Sequence, residues 1–304
     1  VSARGAEERP LIGSRLPLPV LMALAWLFPG LGHLLLGRRS RAAVFAAVIT
    51  GAASGIGLAL AQRAAREGMR LVLADIDEAK LAEAAKTLPV AADALCTRRV
   101  DVSREEDIAA LADEAFGRFG GVHLLCNNAG VGLTRLAWEL TTADWEWILG
   151  VNLWSVVHAV RHFVPRMLAQ DGESHVVNTA SVAGLLSTPA MAAYNVSKHG
   201  VVTLSETLYT ELRAQQAKIG VSVLCPAWVP TAIHTSERNR PQRFGEAAPP
   251  SAASAAYQER MSQAVKSGRL TADDMANAVF DAVAANRFYV IPHSRIKQAV
   301  RLRM

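Results

Sequence analysis

Tyr194 and Lys198 stand four residues apart, and their side chains carry the clearest chemistry in this sequence. They frame Tyr194-Asn195-Val196-Ser197-Lys198, and Val201, Val202, Leu204, Leu208 and Leu212 follow at helical spacing. Residues four apart share one face of a helix, so the phenol and the ammonium can serve one site. A free tyrosine ionises near pH ~10, too high for a good base at neutral pH. A nearby cation favours the phenolate, so Lys198 is expected to acidify Tyr194 and make it a proton-transfer group.

Such a pair works only if other elements present a partner to it. Val44 to Ile49 reads as a buried strand, followed by Thr50-Gly51-Ala52-Ala53-Ser54-Gly55-Ile56-Gly57 and then an apolar-periodic helix ending at Gly68. A strand, a glycine-rich turn and a helix N-terminus together bind a pyrophosphate: glycines admit close approach, and the helix offers free N–H groups and a positive dipole. Leu71 to Ala74 is a second strand with Asp75 at its end. An acid there accepts hydrogen bonds from both ribose hydroxyls of an adenosine and repels an added phosphate. Neither Ile76 nor Ala52, Ala53 and Ser54 offers a cation against that repulsion, so NAD is favoured over NADP. A helix over 78–86 and a strand near 96–100 come next. Asp101 and Val102 end that strand, where an adenine ring can sit. A helix is expected from about Ser103, with Ser103 as N-cap and Glu106 three residues on. Val122 to Cys126 is a fourth strand, ending in Asn127-Asn128-Ala129-Gly130. Strands alternating with helices predict a parallel sheet covered on both faces, with the site at the strands' C-terminal ends. Further on, 221–225 reads as the sixth strand, 271–285 as the last helix and 288–291 as the last strand.

In their order and spacing these stretches resemble the classical short-chain dehydrogenase/reductase family, over about residues 44–304. Thr50–Gly57 matches its T-G-x-x-x-G-x-G and Asn127–Gly130 its N-N-A-G. Asn152, Ser181, Tyr194 and Lys198 match its catalytic Asn-Ser-Tyr-Lys tetrad. The resemblance implies one α/β domain: a Rossmann-type doubly wound parallel sheet of about seven strands with helices on both faces. It implies a nicotinamide cofactor held by Thr50, Gly51, Ser54, Gly55, Ile56, Gly57, Asp75, Asp101, Val102, Asn128, Ala129, Gly130, Tyr194, Lys198, Pro226, Val229 and Thr231. The implied reaction passes a hydride between that cofactor and a secondary alcohol or ketone. Tyr194 moves the proton, Ser181 holds the oxygen, Lys198 also binds the nicotinamide ribose, and Asn152 positions a water. A homodimer or homotetramer is also implied. The family's Pro-Gly after the sixth strand is Pro226-Ala227 here, and alanine lacks glycine's freedom at positive φ. An epimerase or dehydratase on the same scaffold and a non-catalytic, membrane-tethered binding protein are the competing readings.

The remaining signals bound the partners. The chain has 304 residues, 51% of them hydrophobic, enough for one large α/β domain. Residues 1–43 hold six arginines against two glutamates, so +4 of the net +5 belongs to this extension, and no nucleic-acid footprint is expected on the rest. Residues 16–36 contain no Asp, Glu, Lys or Arg and precede Arg38, Arg39 and Arg41, which makes them a candidate membrane contact of an otherwise cytoplasmic protein. Pro29-Gly30 interrupts that run. Cys96, Cys126 and Cys225 are far apart in apolar surroundings, as in a reduced compartment, and no metal-ligating cluster stands out. The polar segment from about 231 to 268 is expected to be a flexible lid over the substrate. Val182, Leu185, Leu186, Met191 and Trp228 are expected at its mouth, suiting an apolar small-molecule alcohol or ketone.

Overall fold

The computed structural model describes residues 45–303. The extension before it, with the proposed membrane contact at 16–36, lies outside the described residues. Among the described residues no helix is long and apolar enough to cross a membrane.

Seven strands form one sheet: β1 (Ala46–Thr50), β2 (Arg70–Asp75), β3 (Leu95–Arg99), β4 (Leu124–Asn127), β5 (Ser174–Thr179), β6 (Ile219–Leu224) and β7 (Tyr289–Val290). Their order is β3-β2-β1-β4-β5-β6-β7, and every pairing is parallel. Parallel neighbours need crossovers, and helices supply them: α1 (Gly55–Arg66), α2 (Glu78–Lys86), α3 (Glu105–Phe119), α4 (Thr142–Leu149), α5 (Ser155–Ala169), α6 (Ala192–Ala214), α7 (Ala252–Lys266), α8 (Ala272–Ala284) and α9 (Ser294–Arg303).

The central strands are buried on both sides, which explains their unbroken apolar runs. Alternation along β1 sends Val48 into the core shared with Ile108, Leu111, Phe163 and Leu208 of α3, α5 and α6. Ala47 and Ile49 enter the opposite core with Leu60 and Ala64 of α1 and Met275 and Val279 of α8. The chain leaves β1 toward β2 on one side and reaches β4 on the other, so strand order reverses between β1 and β4. A crevice opens at the C-terminal ends of strands flanking such a reversal.

Two local expectations change. Helix α3 starts at Glu105, with Arg104 as N-cap and no side-chain cap; the Ser103 hydroxyl donates instead to Asp101 Oδ1 at 2.6 Å. The 231–268 segment is not a structureless loop. It contains 3₁₀ turns at Ala232–Asn239 and Gln242–Phe244 and the 15-residue helix α7. Distant partners order it: Ser251 and Ser254 donate to the Glu139 carboxylate at 2.7 and 2.6 Å, and Arg135 donates to the Ala248 carbonyl at 3.1 Å.

Candidate active site

The crevice begins where β1 turns into α1. Gly51 takes φ +66°, and a Cβ there would lie 2.9 Å from Ala129 Cα. At Gly57 a Cβ would lie 2.0 Å from the Gly51 carbonyl oxygen, so the turn can close onto the helix only with glycine at that position. Ser54, the N-cap of α1, makes no side-chain cap hydrogen bond, and the first turn carries no acid. The helix start is therefore left to an outside anion. Gly51, Ser54, Gly55 and Ile56 line the groove, as do Asn128, Ala129 and Gly130 across from them.

Thr50 and Gly57 do not line it. The Thr50 hydroxyl oxygen accepts from the amides of Asn128 and Ala129 at 3.0 and 3.1 Å, and the Asn128 side chain donates to the Thr50 carbonyl at 3.1 Å. Thr50 thus ties β1 to the exit of β4, and Gly57 is a packing glycine. Asn127 donates to Asn178 at 2.9 Å and carries the same link to β5.

Asp75 lies on the groove wall at the end of β2. Its Oδ2 accepts from the Ala53 amide at 3.0 Å and its Oδ1 from the Asp77 amide at 3.1 Å, which fixes the carboxylate's direction. Lys80 and Arg238 also line this end, cations that the local sequence around the turn did not reveal. Lys80 is engaged by Asp77 at 2.6 Å, and Arg238 Nη1 donates to the Ala232 and Thr235 carbonyls. Asp101 and Val102 stand deeper along the same wall. Burial pushes the Asp101 carboxyl up, but hydrogen bonds from Arg243 and Ser103 outweigh it and leave the group below the ordinary carboxylate range.

Tyr194 and Lys198 also line the groove, Asn152 and Ser181 do not, and all four are buried. A π-helical turn, Gly150–Trp154, joins α4 to α5 and carries Asn152. The Asn152 amide exchanges hydrogen bonds with the Val131 backbone at 2.8 and 2.9 Å and donates to Ser197 Oγ at 3.1 Å. Ser197 in turn donates to the Tyr194 carbonyl at 2.7 Å. Asn152 therefore locks the β4 exit to the turn of α6 that presents Tyr194 and Lys198. Ser181 caps the turn after β5, accepting from the Ala183 amide at 3.1 Å and donating to the Pro226 carbonyl at 3.3 Å. Lys198 Nζ donates to the Thr179 carbonyl at 2.8 Å and lies 5.7 Å from the Tyr194 ring centroid.

The electrostatics of the pair differ from the expectation that Lys198 acidifies Tyr194. Burial raises the Tyr194 hydroxyl's pKa, and the group that opposes this is the Ser181 hydroxyl. Burial also pushes the Lys198 ammonium down to about 8, only partly offset by Cys225. In this arrangement the phenol is held protonated.

Tyr194, Ile56, Pro226, Thr231 and Ile233 face both the groove and a second, largely apolar cavity. Ser181, Val182, Met191 and Trp228 line that cavity, together with Met261 and Val265 of α7. Leu185 and Leu186 do not; Leu185 packs against the core cluster around Val201 and Val223. Val229, expected at the cofactor, lies in the second cavity and is otherwise buried against the α8 side of the sheet. Ala227 fits its loop: among the described residues, non-glycine positive φ occurs at Ala190, Gln216 and Asn286. The sequence reading missed Ile233, Ser236, Asn239 and Pro241, which roof the groove. Their segment follows no motif, and only its hydrogen bonds across the fold place it.

Residues 46–242 match the family model described as short chain dehydrogenase. The chain belongs to that family. It is similar to a crystal structure of a short-chain dehydrogenase/reductase from Burkholderia phymatum in complex with NAD, with 50% identity and a TM-score of 0.83 over 86% of this chain and 92% of that one. It is 36% identical to a CLA biosynthesis dehydrogenase/reductase of Lactiplantibacillus plantarum, over 81% of this chain and 86% of the relative. It is also 34% identical to a 1-deoxy-11-beta-hydroxypentalenate dehydrogenase of Streptomyces exfoliatus, over 85% and 86%. As an oxidoreductase of this family, the chain uses a nicotinamide cofactor. The groove fits one: an uncapped helix start suits a pyrophosphate, an oriented carboxylate suits a ribose, and Thr231, Lys198 and Pro226 line the groove with Tyr194.

Proposed function

We propose that this protein is an NAD-preferring dehydrogenase/reductase of an apolar secondary alcohol or ketone. The observation that carries this reading is the place of Tyr194, on the shared wall between the dinucleotide groove and the apolar cavity. A reacting carbon in that cavity would have the phenol on one side and the nicotinamide end of the groove on the other.

The bound nicotinamide supplies hydride acceptance or donation. The protein's own residues move and hold the proton. Tyr194, held protonated by burial, donates its proton to the oxygen of a ketone and is left as the phenolate; in the reverse direction the phenol must first lose its proton, and the phenolate then receives that of the alcohol. Ser181, which lines the cavity, would hold the substrate oxygen and stabilise the charge that develops on it. Lys198 keeps its ammonium at the groove, where it meets the nicotinamide ribose. Asn152, tied to Val131 and Ser197, would position a water that connects Lys198 to solvent.

Asp75 supports the preference for NAD: it lines the groove with its carboxylate held by the Ala53 and Asp77 amides, and Lys80 is held by Asp77. The apolar walls Val182, Met191, Trp228 and Met261 support an apolar substrate, in keeping with the terpenoid, steroid-like or cyclic alcohols such a cavity would take. The name of the Streptomyces relative, a hydroxypentalenate dehydrogenase, supports a hydroxylated substrate. Exposed Trp154, Leu168 and Val196, around α5 and α6, support self-association into a dimer or tetramer. The test is fluorescence titration with NADH and NADPH, followed by a screen of secondary alcohols for NADH production. Binding of NADH with turnover of an apolar alcohol is the expected result; binding without net NADH change on any alcohol or ketone would point to an epimerase or dehydratase instead.

A further inference from the structure

Two arginines with no part in the reacting centre tie down the segment whose Asn239 and Pro241 line the groove. Arg240 folds its own loop shut, donating to the carbonyls of Gly245 and Phe244 at 2.8 and 2.9 Å. Its guanidinium also meets Asp144 at 2.6 Å, with both side chains almost fully buried, and lies over the Trp147 ring. This pins the loop to the N-terminal turn of α4. Gly245, at φ +63°, turns the chain away beyond it.

The pinned loop presents Arg243. Its Nη1 reaches Asp101 Oδ2 at 2.8 Å and its Nη2 donates to Ser103 Oγ at 2.6 Å. Asp101 follows the end of β3, where an adenine would sit, and Pro241 and Asn239 line the same groove. The two contacts differ in strength. Arg240–Asp144 is buried, so removing one partner would strand a charge. Arg243 is 43% exposed, so its pair is screened by water and salt and opens readily.

We propose that residues 238–245 form a clasp over the adenosine half of the cofactor, with Arg240 as its fixed anchor and Arg243 as the latch that gates cofactor exchange. Arg243 is a positioning residue: it orients the Asp101 carboxylate and, through Asp101 and Ser103, holds the segment whose Asn239 and Pro241 line the groove, and it touches no reacting atom. The inference rests on the nicotinamide-cofactor reading above.

The experiment is stopped-flow dissociation of NADH from the full-length protein, followed by nicotinamide fluorescence, for wild type, Arg243→Ala and Arg243→Lys. Reduced nicotinamide mononucleotide, which lacks the adenosine, is the control ligand. Arg243→Ala should speed NADH release by about tenfold and leave the mononucleotide's affinity unchanged. Arg243→Lys, which keeps the charge but not the two-pronged contact with Asp101 and Ser103, should fall between. Wild-type release should quicken as salt rises from 0.05 to 0.5 M by roughly the same factor, and the Arg243→Ala rate should stay flat. Equal NADH release rates in wild type and Arg243→Ala, or equal loosening of the mononucleotide, would overturn the clasp while leaving the cofactor reading in place. Failure of wild type to bind NADH or NADPH would remove the cofactor reading, and the clasp with it.

Discussion

Lys198 should cost the protein stability in return for its role, and the cost can be worked out. Burial takes its pKa from 10.5 to about 8. Both folded and unfolded chains carry the charge below pH 8, so the full desolvation cost is present there, about 3 kcal/mol at 1.36 kcal/mol per unit. Between pH 8 and 10.5 the unfolded chain binds more protons than the folded one, so stability attributable to this residue rises with pH. Above 10.5 both are neutral and the cost is gone. Replacing Lys198 with Met removes the charge but strands the Thr179 carbonyl, whose hydrogen bond at 2.8 Å contributes about 1 kcal/mol. Lys198→Met should therefore be more stable than wild type by about 2 kcal/mol at pH 7, and that advantage should shrink by roughly 2 kcal/mol by pH 10. The neighbouring groups do not blur the window, since burial holds Cys225 up at about 12 and raises Tyr194 as well. Urea denaturation of both proteins at pH 7, 8.5 and 10 reads the difference directly. A variant less stable than wild type at pH 7, or a gap that does not change with pH, would show that Lys198 is not a strained ammonium in a dry site.

Three further outcomes follow from the same geometry. Tyr194→Phe should lower turnover by ~10²–10⁴-fold with NADH affinity intact, and the wild-type minus variant absorbance at 295 nm should show no tyrosinate below pH ~10 in the cofactor-free protein; a transition near neutrality would mean that Lys198, not burial, governs the phenol. Gly57→Ala drives a methyl to within 2.0 Å of a backbone carbonyl that cannot step aside. It should destabilise the domain by about 3 kcal/mol and weaken NADH at least about tenfold, measured by thermal melting and titration; wild-type NADH affinity in that variant would refute the account of the turn. Asp75→Ala removes the carboxylate that faces the ribose and should raise the NADP-to-NAD ratio of kcat/KM by about tenfold or more. An unchanged ratio would place cofactor choice elsewhere, with Lys80 and Arg238 the next residues to change.

Motifs made much of this site legible in advance. The glycine turn, the acid after β2, the N-N-A-G exit and the Tyr-x-x-x-Lys pair are set by local geometry: a turn that must close, a helix that must expose its first amides, two side chains one helical turn apart. Such requirements leave their mark on residue type and spacing, so the sequence alone determined the parallel sheet and the helices on both its faces. What it could not determine were the partners of each group. Thr50 and Gly57 read as cofactor-holding residues and do not line the groove: Thr50 welds β1 to the Asn128 and Ala129 amides, which arrive from elsewhere in the fold, and Gly57 packs against the Gly51 carbonyl. Asn152 reads as a catalytic amide and is tied to Val131 and Ser197. The 231–268 segment reads as loop, since its order comes from Glu139, Arg135, Asp144 and Asp101, up to about 140 residues away along the chain. The sign of the Tyr194 shift was also undecidable from spacing. A lysine four residues on supplies a charge, but only the tertiary structure sets how dry the phenol is and turns that ammonium toward Thr179.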